Sequence, residues 1–184
     1  IILKKALQVN NFSTEWDEIY INKEQLASWP WSDLVSLVFR HCKDLITHSG
    51  AVLELGCGAG PNIPFIQALG MDYYAIEGSA TIVNSLHEKY KDLQDKVQVG
   101  DFTNVDSFTR IPDIDIIIDR AAVTHNNLTA IKQTLDNSFN ALKSGGCFIG
   151  IDWFSTQHSD FKMGKQSGDQ YTRTDIETGR FKNV

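Results

Sequence analysis

Cysteine is scarce and scattered in this chain of 184 residues: Cys42, Cys57 and Cys147 are its only three, and no two form a CxxC pair. That excludes a disulfide framework and a thiolate zinc site, and it fits a reduced, cytoplasmic setting. His41, His48, His87 and His158 lack metal-ligand spacing with cysteine or carboxylates, so no metal is expected. No apolar run approaches the roughly 18–20 residues that cross a bilayer, and no signal peptide is visible. Positive charge is short as well. The formal net charge of −6 at pH 7 disfavours a nucleic-acid backbone as the main partner, because phosphates demand clustered Lys and Arg. Linkers, repeats and low-complexity tracts are missing too, so residues 1–184 read as one domain.

What is present is an alternation of strands and helices. Ser32 is expected to cap a helix carrying Leu34, Leu37, Val38, Cys42, Leu45 and Ile46 on one face and ending near Ser49-Gly50. Short apolar strands are expected at Ala51–Leu55, Asp72–Ile76, Lys96–Val99, Ile114–Ile118 and Cys147–Ile151. Between them, helices are expected at Pro61–Leu69 with Gly70 as C-cap, from Ser79 to about Tyr90, and from about Asn127 to Leu142, stopped by Gly145-Gly146. This order predicts an α/β fold, a three-layer doubly wound and mostly parallel sheet. Residues 1–50 read as a helical cover and 51–152 as the core. Residues 153–184, with Gly164, Gly168 and Gly179, offer no convincing strand and read as loop or lid.

The informative segment is Glu54-Leu55-Gly56-Cys57-Gly58-Ala59-Gly60, which leaves a strand and opens a helix. Three alternate glycines exceed what a tight turn needs; they let the main chain approach a ligand where a Cβ would intrude. A dinucleotide site would read GxGxxG, with the helix N-terminus on a pyrophosphate. Here the third glycine comes one residue early and Pro61 occupies the place it should fill, so that match fails. The segment resembles motif I of class I, Rossmann-like S-adenosylmethionine-dependent methyltransferases: an acidic residue, any residue, then GxGxG. The resemblance spans about Val52 to Asp152. It implies that Glu54 supports the amino-acid end of S-adenosylmethionine while Gly56, Cys57, Gly58 and Gly60 bring backbone to its methionine and ribose portions. Glu77-Gly78, ending the second strand, matches the position that accepts both ribose hydroxyls, although it would serve a dinucleotide ribose equally. Asp101 and Phe102 match the adenine-facing acid and the ring-packing residue.

Methyl transfer needs an aligned acceptor and, for a hydroxyl, a general base. His125 is the candidate base, in the stretch Asp119-Arg120-Ala121-Ala122-Val123-Thr124-His125 that follows the fourth strand. Asp119 is expected to orient the methionine ammonium or the acceptor, and Arg120 to contact the cofactor, bind an acidic acceptor or pair with a neighbouring carboxylate. Tyr20, Trp31 and Trp153, with Phe154, are expected to wall the acceptor pocket. The aromatic-proline signature of amino-directed DNA methyltransferases is absent, which with the acidic charge points to a small-molecule acceptor on oxygen, nitrogen or sulfur. The product would be S-adenosylhomocysteine. The family sheet normally ends in an antiparallel hairpin that is not found before Val184. The chain also starts at Ile1 rather than methionine. The native protein is therefore expected to be longer, or a second chain, as in a homodimer, covers the open edge. Two other readings stay open: a non-catalytic S-adenosylmethionine-binding partner protein, and an NAD-dependent oxidoreductase.

Overall fold

In a computed structural model of the chain, residues 15–22 and 26–178 are described; the expectations for residues 1–14 and for Gly179 lie outside them. The centre is a five-stranded, fully parallel sheet in the order β3-β2-β1-β4-β5. Its strands are β1 (Ala51–Leu55), β2 (Asp72–Glu77), β3 (Val97–Val99), β4 (Ile114–Arg120) and β5 (Leu142–Ile151). Helices α1 (Glu15–Ile21), α2 (Ser32–His41), α3 (Ile63–Ala68), α4 (Ala80–Lys89) and α5 (Leu128–Ala141) complete the α/β layers.

Alternation along each strand divides the core. Val52, Tyr73, Ala75, Ile116, Ile118, Ile149 and Ile151 join Leu34 and Val38 of α2, Ile63 and Ile66 of α3, and Ile82, Val83 and Leu86 of α4 in one cluster. On the opposite face Leu53, Leu55, Ile76, Ile114 and Ile117 meet Phe102, Val123 and Ile131 of α5. Ile116, Ile117 and Ile118 are fully buried, each contributing roughly 1.5–3 kcal/mol. β4 is thereby held firmly between β1 and β5. The chain leaves β1 for β2 on one side and β4 lies on the other side, so β1 and β4 flank the switch point where such sheets open a crevice at their carboxyl ends.

Several local expectations change. Trp31, not Ser32, is the residue before α2, and no side chain caps that end; Ser32 already has helical backbone, so its hydroxyl is one position too late. The helix ends at His41, and Lys43–Leu45 form a separate 3-10 turn. β4 continues through Asp119 and Arg120, which are therefore strand residues rather than loop residues. α5 stops at Ala141, and Gly145-Gly146 lie inside β5, where the pairing with β4 shifts register between Ile114 and Ile116. By contrast Ser79 caps α4 as expected, accepting from the Ile82 amide at 3.2 Å, and Asn127 caps α5.

The segment after β5 does hold strands. β6 (Lys165–Gln166) and β7 (Arg173–Thr174) form an antiparallel hairpin apart from the main sheet; two-residue strands are too short for any alternation to announce them. The hairpin loop is tied to the core by Asp169, which accepts the Leu128 amide at the start of α5 at 2.8 Å and the Tyr171 and Thr172 amides at 2.7 and 2.8 Å. Those amides hold the Asp169 carboxyl down at about 2. Among the described residues no helix is long and apolar enough to cross a membrane.

Candidate nucleoside and acceptor cavity

A cavity of about 1420 Å³ opens at the carboxyl ends of β1, β2 and β4, well above the ~300–1,000 Å³ of an ordinary small-molecule pocket. Its floor is the glycine turn. Gly56 and Gly58 adopt φ of 67° and 50°, which a side chain resists. A Cβ on Gly56 would also run into the Ala122 methyl, and one on Gly58 would lie 2.9 Å from the Tyr20 hydroxyl. Gly60 does other work: a Cβ there would strike Ile63 and Leu86, so it lets α3 and α4 close on the turn and does not line the cavity.

Two buried carboxylates brace this floor. Glu77 accepts the Gly58 amide at 2.8 Å and the Ser79 amide at 2.9 Å. It is 6% exposed, and burial raises its pKa against the pull of those amides. Glu54 accepts Asn62 Nδ2 at 2.8 Å and the Tyr73 hydroxyl at 2.6 Å; burial pushes its carboxyl up to about 7. Phe102 and Val99 continue the wall beyond Glu77. Asp101 turns away from the cavity, and its carboxylate accepts the Thr103 amide at 2.8 Å.

The opposite wall is assembled from three distant segments. Trp16, Asp17, Glu18 and Tyr20 of α1 line the cavity. Asp17 fastens that helix to the start of α4 through the Ser79 hydroxyl, the Thr81 hydroxyl at 3.0 Å and the Thr81 amide at 3.2 Å. The Ser79 bond above all keeps its carboxyl below the usual range. His125 ends a 3-10 turn, Val123–His125. Its ring meets Trp16 edge-on at 5.1 Å and Phe154 edge-on at 5.0 Å, and Phe154 in turn meets His158 at 5.0 Å. The chain reaches this row through Ala121 and Asp152, which hold φ of 58° without being glycine and both line the cavity. Such strain, about 1–3 kcal/mol per residue, gathers at functional sites.

Two expected contacts are redirected. Asp119 is fully buried. Its oxygens accept the Ala122 and Val123 amides at 3.0 Å each and the Trp153 indole N–H, while burial lifts its pKa to about 6. It shapes the turn beneath His125 rather than facing a ligand. Trp153, committed to Asp119, stays outside the cavity, and Phe154 takes the wall position. Arg120 lines the cavity and takes the expected pairing with a neighbouring carboxylate: Asp152 lies at 2.9 Å, and the Trp31 ring lies 3.7 Å beneath the guanidinium. Trp31 and Tyr20 do line the cavity, and burial raises the Tyr20 hydroxyl pKa.

Reading the sequence did not single out Asn62, Asn126 or Asp17 as cavity residues. Asn62 follows motif I by only two residues and falls inside the helix expected from Pro61, where nothing local marks it as a cavity residue. Asp17 gave no signal beyond an acidic, aromatic neighbourhood. Among the described residues no group of three or more His, Cys, Asp and Glu is arranged to hold a metal.

A family model described as a methyltransferase domain matches residues 52–146, from β1 into β5. No curated protein sequence matches the chain. Among solved structures, the glycopeptide N-methyltransferase MtfA complexed with sinefungin is similar at 20% identity and TM-score 0.53, over 67% of this chain and 50% of that one. An S-adenosylmethionine-dependent methyltransferase from Clostridium acetobutylicum is similar at 16% identity and TM-score 0.59, over 85% and 63%. The CcbJ methyltransferase from Streptomyces caelestis is similar at 18% identity and TM-score 0.52, over 73% and 54%. The chain thus spans between half and just under two thirds of these proteins, and the likeness is one of fold.

Proposed function

Because the chain belongs to the methyltransferase domain family, we propose that it transfers a methyl group from S-adenosylmethionine to a small-molecule acceptor. The observation that carries this reading is the Cβ-free turn at Gly56 and Gly58 with the Glu77 carboxylate at its lip, 2.8 Å from the Gly58 amide. A nucleoside without phosphate asks for close backbone and carboxylates, not for an anion cradle. The residues fit that demand, since Asn62 also carries a buried oxygen with no partner.

Glu77, bonded by the Gly58, Ser79 and Gly78 amides, keeps carboxylate acceptor capacity for a ribose hydroxyl. Phe102 and Val99 offer an apolar face for the base, and Glu54 offers negative charge for an ammonium. When bound, the sulfonium supplies an electrophilic methyl group, and the protein's part is alignment and proton removal. His125 takes the proton from the acceptor heteroatom, with Trp16 and Phe154 fixing its ring. α1 and the segment around Phe154 keep bulk water off the acceptor. The volume beyond the nucleoside's needs leaves room for that acceptor.

Calorimetric titration with S-adenosylhomocysteine, followed by a methyl-release screen over small acceptors, tests the proposal. Binding and release support it. Binding without release across the screen favours a non-catalytic partner protein, and tight NADH binding favours an oxidoreductase. If neither the donor nor its demethylated product binds at millimolar concentration, the proposal falls.

A further inference from the structure

Asp101 is the acid that the family pattern would set against the 6-amino group of adenine, yet the fold gives it other work. Its side chain accepts the Thr103 amide at 2.8 Å, and its carbonyl accepts the Asn104 amide at 2.9 Å and the Ser107 hydroxyl at 2.8 Å. The next two carbonyls are engaged as well. Asn137 of α5, 8% exposed, donates its Nδ2 to the Phe102 carbonyl at 3.3 Å and to the Thr103 carbonyl at 3.2 Å. The turn after β3 thus directs its acceptors into the protein, where buried polar groups need partners. Of residues 101–103 only Phe102 lines the cavity, and its neighbour on that wall is Val99. Nearby polar groups are committed in the same way. The Glu77 carbonyl accepts the Gly100 amide at 3.0 Å, and the Ser79 hydroxyl donates to Asp17 while accepting from the Ile82 amide at 3.2 Å. A 6-amino group is a hydrogen-bond donor, so a site that reads it must hold out an acceptor. This end of the cavity holds out an aromatic ring and a valine.

We propose that the cavity seats the ligand's base by shape, on Phe102 and Val99, and leaves the purine 6-position unread. This rests on the reading that the ligand is a sulfonium or thioether nucleoside. The accepted class is then wider than adenosyl compounds: purine nucleosides that lack the 6-amino group bind as well, provided that they keep the ribose and the amino-acid arm. A site built to bond that amino group would reject them, because its acceptor would be left buried and unpaired. Here no protein acceptor gives up a bond when the amino group is gone.

The test is calorimetry on the full chain with S-adenosylhomocysteine and its analogue carrying hydrogen in place of the 6-amino group. Wild-type protein should bind the two within about threefold; a larger loss, toward the tenfold or more that a bonded amino group commands, overturns the proposal. Asp101→Asn should change both affinities by the same factor, because the acid serves the turn and not the base. A loss that the deaminated analogue escapes would put Asp101 on the amino group and overturn the proposal too. Phe102→Ala should weaken both ligands about tenfold, and unweakened binding would mean that the base is seated elsewhere. If wild-type protein binds neither ligand, the donor reading itself fails and the base seat fails with it.

Discussion

The wall of the cavity beside β1 and β2 is made of backbone and buried carboxylates, whereas the wall facing it is made of aromatic rings from segments more than a hundred residues apart. On the first wall Gly56, Gly58, Glu54 and Glu77 are fixed by strands whose central residues are fully buried. On the second, Trp16, His125, Phe154 and His158 touch one another ring to ring, and Trp16 and Phe154 are carried by a short helix and an exposed stretch. A wall of main chain leaves few ligands to choose from, because its shape follows from dihedral angles. A wall of side chains can change its specificity without disturbing the fold. Under the proposed function, the first wall would hold the donor, and the second would choose the acceptor and remove its proton.

That division can be broken by substitutions that cross it. The largest effect is expected at His125. His125→Phe keeps a ring between Trp16 and Phe154 but removes the nitrogens. With a hydroxyl acceptor taken from the release screen, kcat should fall about 10²–10⁴-fold while S-adenosylhomocysteine affinity stays within about threefold. A variant with full turnover would remove the base, and one with lost product affinity would erase the boundary between the walls. Next comes Glu77→Gln, which keeps the shape and gives up the charge. It should weaken S-adenosylhomocysteine by about 10- to 100-fold, as expected for hydrogen bonds to a charged acceptor, with a much smaller change in kcat at saturating donor. If kcat fell instead, Glu77 would be acting on the acceptor side.

The same contrast explains what the sequence made legible. The five parallel strands, the helices between them and the glycine turn could be read because each is a local pattern: β-branched runs, alternate glycines, a serine before a helix. Glu77 was singled out from its place at the end of the second strand and Phe102 from its place after the third, and both line the cavity. The second wall was only half visible. Tyr20 and Trp31 stood out as aromatics before the core, but nothing local says that Trp16 meets His125, 109 positions on. Asp119 and Trp153 looked like ligand groups because their residue types suit a ligand. Only the fold reveals that they satisfy each other, since the left-handed backbone at Asp152 sends Trp153 to Asp119 and Phe154 to the cavity. The β6–β7 hairpin was missed because its strands are shorter than one period of the pattern that would betray them.

A subtler difference between the walls lies in their protons. Burial pushes the Glu54 carboxyl from its ordinary 4.5 up to about 7, so the folded chain holds this proton more tightly than the unfolded chain does. The stability this confers is fully present below about pH 4.5 and is lost as pH rises to about 7. Asp119, lifted from 3.8 to about 6, adds a dependence of the same sign in a lower window. Urea midpoints between pH 5 and pH 7.5 should therefore fall for the wild-type chain. They should fall less for Glu54→Gln, which removes one contribution and leaves those of Asp119 and Glu77. An equal fall in both proteins would mean that Glu54 is already ionised at pH 5. Ligand binding should run the opposite way. An ammonium beside Glu54 favours its ionised form, so S-adenosylhomocysteine should bind more tightly as pH rises toward 7 and release a proton in doing so, and Glu54→Gln should bind it with neither trend. A fold that gives up stability to charge a carboxylate in its own floor recovers that loss when a cation settles on it, and this links the first wall's strain to its proposed work.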